Sequence, residues 1–220
     1  MVRIKICGIT NLADARLAGE SGADSIGLNF YEQSPRYVSV ASAARIRIEL
    51  PKHVEAVGVF VNLPPSEVAA TCSSARLDAA QLHGDESPQA VADLARKIAV
   101  IKAFRLNPGF ALDTLDRYPE AFAFLLDAYQ AGQYGGTGHT ADWVLARRAA
   151  AAHRIILAGG LKPENVAAAI RSVRPYAVDV ASGVESKAGK KDHARVREFI
   201  LEVRRAEKQL DSQAAQSNNS

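Results

Sequence analysis

Cysteine is scarce in this chain: Cys7 and Cys72 are the only two in 220 residues, alongside one tryptophan, one methionine and 6% aromatic residues. That scarcity excludes a disulfide-stapled scaffold, and a chain of this length buries a core without cross-links, so the expectation is a reduced, cytoplasmic protein. No run approaches the roughly 18 uninterrupted apolar residues of a membrane span. The first ten residues, MVRIKICGIT, lack the apolar centre of a signal peptide. Charge of one sign is missing too. The 27 basic and 24 acidic residues are mixed along the chain for a net charge of +3, with no basic block and no aromatic-rich stripe. Neither nucleic acid nor a membrane is therefore an expected partner, while a local anion site stays open. His53, His83, His139, His153 and His193 show no metal-ligand spacing among themselves or with the cysteines, and there is no GxGxxG, Walker loop or CxxC.

What is present is order. At 48% hydrophobic and 23% charged residues, the composition is that of a globular domain. Eight short runs rich in Val, Ile and Leu recur along it: 3–7, 25–30, 56–61, 79–83, 99–104, 123–128, 154–159 and 177–182. Each is followed by a Gly, Asn, Asp or Ser cluster and then a helix-like segment, the pattern of repeated strand-helix units and a parallel sheet. Eight such units in a chain this short predict a single (β/α)8 barrel of the α/β class near its minimum size, with a doubly wound open sheet as the rival.

Helix starts are marked at Ser87-Pro88, at Lys162-Pro163-Glu164 and at Pro64-Pro65-Ser66-Glu67, and Gly22 is suited to end the first helix. The last helix, from about Asp192 to Gln209, places Val196, Phe199, Ile200 and Val203 on one apolar stripe. No composition break divides the chain, so residues 1–210 read as one domain and 211–220 as a frayed tail.

In such a barrel the chemistry gathers at the carboxyl ends of the strands. The polar residues there are Cys7, Asn29, Asn62, Gln81 with His83, Lys102 with Arg105, Asp127, Gly159 with Gly160, and Asp179 with Ser182. Each has two readings. Cys7 is an inert core residue or a base that needs help to ionise; Lys5, on the same strand face, supplies that help or pairs with Asp179 on the eighth strand. Asp127 is a general acid whose pKa burial would raise, or a loop cap. The glycine-rich run after it, 128–143, suits a cover over a ligand. Arg36 suits a carboxylate or plain solvent, and His83 a substrate or a structural hydrogen bond. Gly160, Ser182 and Gly183 lie in two consecutive glycine-bearing loops after the seventh and eighth runs, where barrels commonly hold phosphate; either loop alone is also explained by packing.

Seven segments then fall in order. KICGIT (5–10), SPRYV (34–38), GVFVN (58–62), QLHG (81–84), LLDA with GGTG (125–138), AGGLKPENV (158–166) and SGVES with GKKD (182–192) resemble the phosphoribosylanthranilate isomerases of tryptophan biosynthesis. The resemblance runs from Lys5 to about Phe199. It implies an Amadori rearrangement of N-(5-phosphoribosyl)anthranilate to 1-(2-carboxyphenylamino)-1-deoxyribulose 5-phosphate, with no cofactor and no metal. It implies Asp127 as general acid, Cys7 as general base, Arg36 on the anthranilate carboxylate and the backbone of Gly160, Ser182 and Gly183 on the phosphate. Asp179, Gln81 and His83 follow as further substrate contacts. The expected partner is that phosphorylated small molecule, and the assembly a monomer or a homodimer.

Two departures from the family pattern are visible: Ala181 precedes Ser182 where two serines are expected, and Ala141 stands where a phenylalanine is usual before Asp142-Trp143. Three alternatives remain at this point. The histidine-pathway isomerase is expected to use aspartates as both acid and base, which Cys7 disfavours. Indoleglycerol phosphate synthase does not share the motif string, and a silent phosphate-binding barrel would lack turnover.

Overall fold

A computed structural model of the chain describes residues 1–106, 109–127 and 140–217. Residues 128–139 of the glycine-rich run 128–143, expected to cover a ligand, lie outside the described residues, and the side chain of Ala141 is likewise not described. All eight apolar runs form strands: β1 (Arg3–Cys7), β2 (Ser25–Asn29), β3 (Glu55–Phe60), β4 (Ala79–Leu82), β5 (Ala99–Arg105), β6 (Ala123–Asp127), β7 (Ile155–Ala158) and β8 (Ala177–Val180). They hydrogen-bond in sequence order, and β8 returns to pair in parallel with β1, bringing Lys5 opposite Asp179. The sheet is closed, so the open-sheet alternative is excluded.

Seven α-helices wrap the barrel among the described residues: α1 (Leu12–Glu20), α2 (Val40–Glu49), α3 (Pro65–Ala75), α4 (Pro88–Ala95), α5 (Thr140–Ala150), α6 (Pro163–Val173) and α7 (His193–Ser217). Between β5 and β6 a 3-10 segment, Leu112–Arg117, stands in for a helix. The helix signals act as their chemistry requires. Ser87 Oγ accepts the Ala90 N–H at 3.2 Å and Pro88 opens α4, while Gly22 takes a left-handed φ of 99° just past α1. At α6, Asn165 Oδ1 accepts the Lys162 N–H at 2.9 Å and its Nδ2 donates to Gly160 O at 3.0 Å, so the helix start is tied to the glycine turn before it.

Strand alternation divides the apolar residues between two cores. Ile4, Ile6, Ile26, Leu28 and Val178 point outward beneath the helices, where Val196, Phe199, Ile200 and Val203 of α7 meet them as one buried stripe. Each such side chain contributes about 1.5–3 kcal/mol on burial. Val57, Ile101, Leu125 and Ile156 fill the barrel axis instead. The helix α7 continues to Ser217 rather than stopping near Gln209; the Gln- and Ala-rich sequence after Asp211 has the propensity to carry it. After β8 come a 3-10 turn, Ser182–Val184, and a small hairpin of β9 (Glu185–Lys187) and β10 (Lys190–Lys191).

Candidate active site at the barrel mouth

The inward parity of the strands delivers polar side chains to one end of the barrel. There a cavity of about 320 Å³ is lined by Cys7, Arg36, Gln81, His83, Asp127, Gly160, Asp179 and Ser182, among others. Eight of the nine candidate site residues line this one mouth, and the ninth, Gly183, is next in sequence to Ser182. Lys102 is not among them. It shares the parity of Val100 and Phe104, points outward, and pairs with Glu86 at 2.9 Å beneath α4.

Cys7 ends β1, two residues beyond Lys5 on the inward face. The two readings of Lys5 are compatible: its Nζ lies 2.9 Å from Asp179 Oδ1, and its charge also acts on Cys7, two residues along the same strand face. Burial pushes the Cys7 thiol above its ordinary pKa; the charges of Lys5 and Lys191 pull it down, and Asp179 pushes it up. The thiol is therefore the resting form, with two cations placed to favour the thiolate.

Asp127 ends β6 across the mouth. His83 Nε2 stands 4.0 Å from Asp127 Oδ2, and Gln81 Nε2 lies 3.0 Å from His83 Nδ1. With the Gln81 amide in this orientation, its N–H donates to a bare Nδ1, which leaves the imidazole proton on Nε2 facing Asp127. Burial holds His83 below its ordinary pKa, Asp127 pulling the other way, so the ring is mainly neutral at pH 7. Gln81 Oε1 is buried with no hydrogen-bond partner among the described residues.

Arg36 leans over the mouth from the loop after β2 and is engaged, not solvated. Its Nε donates to Glu185 Oε1 at 2.9 Å and its Nη2 to Glu185 Oε2 at 2.6 Å. These bonds raise the guanidinium pKa further, so Arg36 is a permanent cation here. At the opposite edge, Gly159 and Gly160 take left-handed φ values of 87° and 62° just before α6. A Cβ on Gly183 would collide with the Leu161 carbonyl, so only glycine lets the loops after β7 and β8 touch. The backbone of Gly159, Gly160 and Ser182 then forms one edge of the cavity just ahead of α6, a setting that favours an anion.

Sequence reasoning missed Glu185 and Lys191, although both lie inside segments that carried the resemblance. A glutamate and a lysine in a polar hairpin read as solvated, and only the antiparallel pairing of β9 with β10 turns them inward. Among the described residues no group of three or more His, Cys, Asp or Glu side chains gathers to hold a metal.

Comparison with known proteins supplies the rest. Residues 4–202 match the family model described as N-(5'phosphoribosyl)anthranilate (PRA) isomerase. The chain belongs to the phosphoribosylanthranilate isomerase family. A phosphoribosylanthranilate isomerase of Geobacter sulfurreducens is 52% identical over 200 residues, which cover 91% of this chain and 97% of the relative. A crystal structure of the Thermotoga maritima isomerase superposes with a TM-score of 0.86 at 46% identity, over 93% of this chain and 99% of that one. A further isomerase structure, with TM-score 0.83, 43% identity and coverage of 93% and 99%, holds reduced 1-(o-carboxyphenylamino)-1-deoxyribulose 5-phosphate. The activity of this chain is accordingly that of a phosphoribosylanthranilate isomerase, an Amadori rearrangement in tryptophan biosynthesis. Among the described residues no helix is long and apolar enough to cross a membrane.

Proposed function

We propose that Asp127 and Cys7 divide the rearrangement between them as acid and base on opposite sides of the mouth. Asp127 gives its proton to the ribose ring oxygen while the nitrogen lone pair forms a C1=N bond, and the C1–O bond breaks to an open-chain Schiff base. Cys7, as thiolate, removes the proton from C2; the released electron pair forms a C1=C2 bond and neutralises the nitrogen. The enolamine that results tautomerises, C1 gaining a proton and the C2 hydroxyl losing one, to leave the ketone. No redox change enters, and the acid and base need only be matched to neutral pH.

Arg36 takes the anthranilate carboxylate, and the backbone around Gly160, Ser182 and Gly183 takes the phosphate. Fixing both ends of the substrate contributes by orientation, worth up to about 7–11 kcal/mol in well-aligned systems. Asp179 holds Lys5 against Cys7, and Gln81 with His83 faces the ribose beside Asp127. With one phosphate hydroxyl lost to Ala181, backbone N–H groups carry more of that contact. Both cysteines are free thiols, and a thiol base fits the reducing cytoplasm.

The observation that carries this reading is that Cys7, Asp127 and the two glycine loops line one cavity. It is tested by trapping. With Cys7→Ser, ring opening proceeds and the Schiff base persists, so borohydride captures a ring-opened secondary amine above the enzyme-free background. With Asp127→Asn it does not. Equal trapping in both variants would contradict the division of roles.

A further inference from the structure

Two charged groups beside the mouth exchange no proton with the substrate, although the charge of one of them, Lys191, favours the Cys7 thiolate, and they are among its most enclosed. The Glu185 side chain is 4% exposed and that of Lys191 0%. Glu185 opens β9, Lys191 closes β10, and the hairpin is tied to α1 by the Lys191 N–H donating to Asp14 Oδ2 at 2.9 Å. Lys191 Nζ donates to Glu185 Oε1 at 2.9 Å and to Ala181 O at 3.1 Å. Glu185 thereby receives a lysine from one side and the Arg36 fork from the other.

Arg36 is fixed from below as well. Its stem lies across Gly8, where a Cβ would come within 2.5 Å of Arg36 Cδ. Glu185 takes the Nε and Nη2 edge of the guanidinium. The other edge, Nη1 with the second N–H of Nη2, is the one on which a ligand carboxylate forms the same two-bond pair. Charge points the same way. Arg36 and Lys191 bring two positive charges and Glu185 one negative, so the cluster is left at +1 and a single carboxylate neutralises it. Without Glu185 the two cations repel, and Arg36 loses the bonds that set its plane.

We propose that Glu185, anchored by Lys191, is a positioning residue that presets Arg36 for the aryl carboxylate and so sets the selectivity of this mouth for an anionic aromatic amine. The inference rests on the reading of Arg36 as the carboxylate's partner, and its test separates the two. The measurement is kcat/KM on N-(5-phosphoribosyl)anthranilate and on its decarboxylated counterpart, N-(5-phosphoribosyl)aniline, for the wild type, Glu185→Gln and Lys191→Gln.

The wild type is expected to prefer the carboxylated substrate by at least about 100-fold, as a charge-assisted bidentate pair implies. Glu185→Gln narrows that preference by about tenfold or more, the change falling on KM of the carboxylated substrate, and Lys191→Gln narrows it less. A wild type with no preference would overturn the reading of Arg36 and the proposal with it. A preference intact in Glu185→Gln, or an equal loss on both substrates, would overturn the proposal and leave Arg36 in place. If Glu185→Gln does not fold, Lys191→Gln is judged by the same ratio. Failure of both to fold would make the pair a structural clasp and also overturn the proposal.

Discussion

Lys5 serves two neighbours that both draw on its positive charge. Its ammonium offsets the buried Asp179 carboxylate, and its charge favours ionisation of Cys7. Burial at first penalises the Lys5 charge, but Asp179 and Cys7 more than reverse this and raise its pKa, so it is a cation at neutral pH. The Cys7 thiol is itself raised by burial, so the thiolate fraction grows as pH rises through and above neutrality. The rate of the base-dependent step should climb along the same limb. Removing the Lys5 charge takes away a stabiliser of the thiolate and leaves Asp179, which disfavours it. Lys5→Met is therefore expected to cut kcat at pH 7 by about tenfold or more and to move the limb to higher pH, one pH unit corresponding to about 1.4 kcal/mol. A pH-rate profile of the two proteins checks this; an unshifted limb would remove Lys5 from the account.

At the scale of elements, the loop between β4 and α4 depends on a buried pair that takes no part in the reaction. Lys102 Nζ lies 2.9 Å from Glu86 Oε2 and donates to Gly84 O at 2.7 Å, and Glu86 Oε1 accepts the Asn62 N–H at 2.9 Å. Burial alone would raise the Glu86 pKa, yet the Lys102 and Asn62 hydrogen bonds outweigh it and the net shift is downward from 4.5. A carboxylate with a depressed folded pKa contributes stability that is present above its unfolded value and lost as pH falls through the folded one. The chain should hold its stability above about pH 4.5 and lose it below, on this account. Glu86→Gln leaves Lys102 unpaired and should cost about 3–5 kcal/mol at neutral pH while flattening the acid limb. Urea unfolding at pH 7 and at pH 4 reads both effects.

Which elements were legible follows from the same physics. Buried parallel strands are continuous apolar runs and betray themselves, and proline or serine at a helix start acts locally. The closure of β8 on β1 was inferable from the count of units, and the inward faces of Cys7 and Asp127 from alternation. Alternation also carried the signal that Lys102 points outward, since it shares parity with Val100 and Phe104. The Arg36–Glu185–Lys191 cluster was not legible, because its members lie 149 and 6 residues apart and meet only through a hairpin and a loop.

For the whole molecule, the closed barrel turns eight local strand ends into one chemical surface. On the proposed reading, the phosphate edge is built by the loops after β7 and β8, the base comes from β1, the acid from β6 and the carboxylate anchor from the loop after β2. On that reading a substrate bound across the mouth meets acid and base on opposite sides, which a shift of a proton from C2 toward C1 requires. The outer core beneath the helices is separate from the inward-facing Cys7 and Asp127, so on this account loss of either group should leave the fold standing.

The most direct measurement is kcat for loss of anthranilate-type fluorescence from freshly generated substrate, in the wild type, Cys7→Ser and Asp127→Asn, with thermal unfolding recorded for each. Rapid turnover in the wild type and a fall of about 10²- to 10⁴-fold in each variant, at an unchanged melting temperature, is the predicted result. A folded variant of either residue that stays within about tenfold of the wild-type rate would contradict the assignment of Cys7 and Asp127 as base and acid.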